Sequence, residues 1–166
     1  KWLSLVEISG VVLSEPVLAD AAPAGFRRLE KRELRHFYDA RDAWLMDGPQ
    51  SQETWVDFIL ESILQLSEDY WIRGAAITDR YSTRIPVHND LLKPSRVLLD
   101  PEDGEPRLLL VSLDRQQPID QQWTDEGSSW KASATTKMDR LLRDTGVELG
   151  LLTNGSQWRI VVASPS

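Results

Sequence analysis

Arg96-Val97-Leu98-Leu99-Asp100, the turn Pro101-Glu102-Asp103-Gly104, and Arg107-Leu108-Leu109-Leu110-Val111-Ser112-Leu113-Asp114 together decide the fold. Pro, Asp and Gly in four consecutive places close a tight turn, so the two flanking apolar runs read as a hairpin. The second run is continuously apolar from Leu108 to Val111. That pattern predicts a strand covered on both faces, which requires layers of structure above and below the sheet.

Working outward, Ile77 to Val87 predicts a further strand, with Pro86 confining it to an edge or terminal place. Residues 115–131 are polar and Gln-rich and predict a long loop. Ser133 to Thr145 predicts a helix with Met138, Leu141 and Leu142 inward, stopped by Gly146. Leu149 to Thr153 and Gln157 to Ala163 predict a second hairpin turning on Asn154-Gly155. Before all of these, Trp2 to Ala22 reads as an extended arm and Arg28 to Met46 as a helix ended by Gly48-Pro49. Ser51 is expected to cap a second helix, with Trp55, Phe58, Ile59, Ser62, Ile63 and Leu66 facing a core. The expected class is α/β: a mixed sheet made of a three-strand meander, a crossover helix and further strands, preceded by two helices. An N-terminal arm and helix (1–50) would precede the α/β domain (51–166).

Composition narrows the chemistry. The 166 residues contain no Cys, which excludes a disulfide scaffold, a thiolate metal site and a Cys nucleophile. The net charge of −7 excludes a basic nucleic-acid coat protein. The longest apolar runs are strand-sized, so no membrane span or membrane partner is expected. The start lacks a signal-peptide cleavage pattern. The chain opens at Lys1 and reads as a piece of a longer polypeptide. Its charge is unevenly spread: residues 97–126 carry eight acids against two bases, while residues 127–166 carry five bases against three acids. Lys137, Arg140 and Arg143 recur at three-residue steps. With Lys131 they form the candidate DNA-binding set, with Trp123 or Trp130 available for stacking. The competing reading is a solvated helix face paired with Asp139 and Asp144. No Gly-rich phosphate loop, no Gly-x-Ser-x-Gly elbow around Ser112 and no His-based metal spacing is present.

The run from Lys93-Pro94-Ser95-Arg96 to Pro106–Asp114 resembles the strand pair of the PD-(D/E)XK nuclease superfamily. Residues 138–161, Met138-Asp139-Arg140 through Leu151-Leu152-Thr153-Asn154-Gly155 to Ile160-Val161, are similar to a block in N-terminal regions of type IIG-like DNA methyltransferases. These include the methyltransferases of the DISARM and BREX phage-defence systems and, more remotely, type I restriction subunits. Ser4-Leu5-Val6-Glu7-Ile8-Ser9-Gly10 looks like the opening of the same proteins.

The resemblance implies a bacterial, cytoplasmic parent that modifies DNA in a restriction-modification or phage-defence system. S-adenosylmethionine would be the parent's cofactor, held beyond Ser166, since no methyltransferase motif lies in this segment. Partners would be the rest of the methyltransferase chain or the defence-system subunits, with DNA as a further partner.

The nuclease positions depart from the pattern. Ser95 stands where Pro-Asp is required, and Ser112-Leu113-Asp114 stands where Glu-x-Lys is required. Hydroxyls do not replace the charges that hold a divalent ion, so no catalytic or metal site is expected and docking is the expected role. The alternatives are a divergent Mg²⁺-dependent endonuclease using Glu61, Asp100 and Asp114, and an accessory domain of a type I restriction-like translocase subunit.

Overall fold

The computed structural model describes residues 30–163 continuously and scattered positions between 16 and 28. The arm expected over Trp2 to Ala22 lies largely outside these residues, and its described positions Pro16, Ala19 and Asp20 are helical rather than extended. Two compact units divide between Tyr38 and Asp39. In the first unit, Glu33 accepts the Glu30 N–H at 2.7 Å and caps the start of helix α1 (Lys31–Met46). Phe37 meets Tyr38 edge-on at 5.8 Å.

The second unit is mixed α/β, with a mostly antiparallel five-stranded sheet between helices. After α1, Gly48 turns the chain at φ 79°. Helix α2 (Gln52–Phe58) follows and runs on into a π-turn over Ile59–Ile63. Ser51 precedes α2, but its hydroxyl donates to the carbonyls of Gly48 (2.7 Å) and Trp44 (3.0 Å) rather than capping a helix N–H. The buried stripe of α2 is Gln52, Trp55 and Val56, continued by Leu60 of the π-turn. Of the stripe expected further along, Leu66 packs half-buried against the same core, while the wider π-turn changes the phase of the helix and Ser62 is exposed.

Strands β1 (Trp71–Arg73), β4 (Arg96–Leu99) and β5 (Pro106–Ser112) form an antiparallel meander. Helix α3 (Ala134–Thr145) crosses over to β6 (Leu149–Thr153), parallel to β5, and β7 (Trp158–Val162) returns antiparallel on β6. The sheet order is β1-β4-β5-β6-β7. Strands β2 (Thr83–Ile85) and β3 (Asp90–Leu92) form a separate ribbon.

The long strand expected over Ile77 to Val87 is therefore corrected. Only Thr83–Ile85 is extended there; 3₁₀ turns hold Asp79–Tyr81 and Pro86–His88, and Trp71–Arg73 takes the place of first strand in the sheet. Asp79 is exposed between the buried Ile77 and Tyr81, whereas strand alternation would put all three on one face.

Leu109 joins Val97, Leu152 and Val161 against Met138, Leu141 and Leu142 of α3. Leu110 joins Trp71 and Leu151 against Val56 of α2 and Leu60 of the π-turn. Strand β5 is thus covered on both faces, as its unbroken apolar run requires. Helix α3 begins with the Ser133 hydroxyl accepting the Thr136 N–H at 3.2 Å and ends at Gly146, φ 73°. The β6–β7 turn is closed by the Asn154 carboxamide oxygen, which accepts the N–H groups of Ser156 (3.1 Å) and Gln157 (2.8 Å).

Candidate functional site

Three of the sequence-marked positions meet at one end of the β4–β5 hairpin. The Ser95 amide donates to the Leu110 carbonyl at 2.7 Å, and the Ser95 hydroxyl accepts the Ser112 amide at 2.9 Å. Asp114 follows one residue beyond the buried Leu113, exposed at the strand end. The Gln52 carboxamide of α2 donates to the Leu113 carbonyl at 3.1 Å and fixes this end against the helix. By strand alternation the Ser112 side chain shares the α2 face with Leu108 and Leu110, and its buried hydroxyl makes no hydrogen bond among the described residues.

Glu61, Asp100 and Asp114 do not converge. Glu61 is exposed rather than core-facing, because it rides on the π-turn, and it accepts from Arg73 at 3.3 Å. Asp100 sits at the opposite end of the hairpin from Asp114. The seven residues of β5 separate those ends, roughly 20 Å of strand. There Asp100 accepts the Glu102 N–H at 2.8 Å and the Arg107 Nε at 2.8 Å, which hold its carboxyl below the ordinary carboxylate range. No group of three or more His, Cys, Asp or Glu suited to a metal ion occurs among the described residues.

The other carboxylates of α2 are engaged by arginines. Arg96 of β4, its side chain 2% exposed, donates to Glu53 at 2.6 Å and to Asp57 at 2.8 Å, and Arg73 of β1 donates to Asp57 at 3.0 Å. These bonds tie α2 to β1 and β4, so the helical acids are neutralised where they stand.

The basic residues of α3 separate into two environments. Arg140 pairs with Asp144 at 2.8 Å and Arg143 with Asp139 at 2.9 Å, both as exposed i,i+4 pairs, and Lys131 is exposed before the helix. Lys137 does not share that face: it is buried. Three-residue steps rotate backward around a helix by about 60° each, so 137, 140 and 143 spiral from the core to solvent. Lys137 instead lies on the apolar stripe, three residues after Ala134 and four before Leu141. That placement was the signal in the sequence, and the charge pattern concealed it.

The Lys137 ammonium donates to Asp90 of β3 at 3.2 Å and to Asp125 of the long loop, with the rings of Trp123 and Trp130 centred 5.6 and 5.7 Å away. The Ser128 hydroxyl donates to Asp90 at 3.0 Å, His88 stacks on Trp130, and the Ser129 amide donates to the His88 carbonyl at 2.8 Å. The loop is therefore strapped across the β2–β3 ribbon by the buried amine together with the Ser128, Ser129 and Gly127 hydrogen bonds to Asp90, His88 and Asn89. Beside it lies a cavity of about 340 Å³ at the C-terminal end of β5. Neither Asp90 nor Asp125 stands out in the sequence: Asp90 opens the short strand β3, 47 residues before Lys137, and Asp125 is one of several acids in the polar loop.

Burial raises the Asp125 carboxyl. The hydrogen bonds from Lys137 and the Trp123 indole, with the ammonium charge, outweigh it and hold the group below its ordinary value of 3.8. A depressed carboxyl contributes stability that is complete above the unfolded value and is lost as pH falls through the folded one. The Trp123 indole N–H resonance is therefore expected to stay fixed from neutrality to about pH 4 and to shift only below it. Movement of that resonance between pH 5 and 7 would contradict the arrangement.

Compared with protein-family models, curated proteins and solved structures, the chain finds no match.

Proposed function

We propose that this segment is a non-catalytic, PD-(D/E)XK-like domain of a bacterial DNA methyltransferase from a restriction-modification or phage-defence system. Its role is docking, onto the methyltransferase core, a partner subunit or DNA. The observation that carries the reading is the state of the β4–β5 strand end. Where the nuclease pattern needs two acids, Ser95 and Ser112 face each other through a hydroxyl–amide bond, and the acids of α2 are engaged by Arg73 and Arg96. A divalent cation finds no convergent carboxylates there. The succession of helix, antiparallel meander, crossover helix and parallel strand supports the nuclease-like ancestry. The residues similar to the methyltransferase block form most of α3 and the β6–β7 hairpin. S-adenosylmethionine would be held by the rest of the parent.

Plasmid cleavage by the purified chain in Mg²⁺ or Mn²⁺, beside calorimetric titration of either ion, tests the non-catalytic half. No nicking and no saturable heat are expected. Cleavage abolished by Asp114→Ala would overturn it. Co-purification with the methyltransferase core tests the docking half, and failure of the two to associate counts against it.

A further inference from the structure

We infer that the cavity beside Lys137 is a binding site for a single nucleobase, presented as a free nucleoside or as an unstacked base of a single strand. The site lies at the C-terminal end of β5 and is lined by residues of that strand end, β3, β6, helix α3 and the long loop. Its volume of about 340 Å³ is near the lower limit of ligand pockets, roughly 300–1,000 Å³. That admits a base or nucleoside and excludes a folded segment.

The lining sets the chemistry. The floor is aliphatic, from Val111, Met138 and Leu152, and Trp123 supplies an aromatic wall. The charged groups that line it balance: the amines of Lys93 and Lys137 against the carboxylates of Asp114 and Asp125. Asp90, behind Lys137, adds a further negative charge. A free anion such as phosphate therefore gains nothing on entering. Lys137 and Asp125 are already bonded to each other, which leaves Lys93, Asp114 and the Gln117 carboxamide to a ligand. An alkylamine would satisfy Asp114 but offers no acceptor to Lys93 or to the carboxamide, which presents both a donor and an acceptor. A ligand with apolar faces and an edge of alternating donors and acceptors matches floor, wall and polar groups together, and a nucleobase has that description. Asp114 and Gln117 are the groups assigned to read the edge. Lys137 holds the wall in place through Trp123 and Asp125.

Adenosine, guanosine, cytidine and thymidine are titrated one at a time into the intact chain and followed by saturation-transfer NMR and calorimetry. At least one is expected to bind with a dissociation constant on the order of 1 mM or below. Asp114→Asn and Gln117→Ala are each expected to weaken that binding at least about fivefold without moving the thermal midpoint, Asp114 being exposed. A single-stranded decanucleotide distinguishes the two sources: tighter binding than the nucleoside assigns the site to a strand, weaker binding to the free molecule. The inference is overturned if no nucleoside binds at about 5 mM, if the variants bind as the parent does, or if free amino acids or inorganic phosphate displace the nucleoside. The docking assignment stands or falls separately, on association and cleavage.

Discussion

Lys137→Met is expected to lower stability by about 3–5 kcal/mol, because it removes one partner of a buried ion pair and leaves the other charged. Asp90 is 7% exposed and accepts from only Lys137 and Ser128 among the described residues. For a chain of this length the loss corresponds to a fall in thermal midpoint of roughly 10–15 °C. Asp125 and the two Trp rings lose their shared partner in the same step. Hydrogen exchange over residues 123–130 is therefore expected to rise more than exchange in the sheet. Adding Asp90→Asn removes the stranded charge while keeping an acceptor for Ser128, and most of the lost stability is expected to return. A single variant that melts within about 2 °C of the parent would show that the amine does not hold the strap.

Gly155→Ala is the second large effect, and its origin is steric. Gly155 has φ +86°, and a Cβ there would lie 2.5 Å from Cζ2 of Trp44 and 3.0 Å from Oε1 of Gln52. Neither neighbour can yield cheaply. The Trp44 ring is stacked on Trp55 at 5.4 Å, its indole N–H donates to Gln52 at 2.9 Å, and the Arg115 guanidinium lies over it at 5.5 Å. The Gly155 carbonyl also accepts the Trp55 indole N–H at 2.8 Å, so the turn cannot back away. Backbone strain of about 1–3 kcal/mol and overpacking of similar size sum to a loss on the order of 3–5 kcal/mol. Chemical denaturation of the variant measures it. Gly104→Ala, with φ +71° but no atom within 4 Å of the added Cβ, isolates the strain and is expected to cost about 1 kcal/mol. Equal losses in the two variants would remove Trp44 from the account.

The central hairpin, α3 with its stop at Gly146 and the β6–β7 hairpin were all legible in the sequence, because each is specified by neighbours within a few residues. Asp103-Gly104, Ser133 and Gly146, and Asn154-Gly155 impose their turns and caps through local sterics and hydrogen bonds. The same locality made Pro94-Ser95 and Ser112-Leu113-Asp114 visible as positions that lack the nuclease acids. The first strand of the sheet was not legible. Trp71–Arg73 is three residues long, too short to show alternation, and it is a strand because Val97 and its neighbours on β4 lie beside it.

The net charge and its uneven spread, the absence of Cys, the hairpins and the stop of α3 at Gly146 follow from the sequence alone, since composition and short-range geometry suffice for them. The tertiary structure alone decided which carboxylates meet the buried cations. Lys137 and Arg96 are buried and paired with Asp90, Asp125, Glu53 and Asp57, at separations of between 12 and 47 residues. A buried cation persists only where distant carboxylates converge on it, and no spacing along the chain records that convergence. The candidate pocket, walled by one such pair, exists for the same reason.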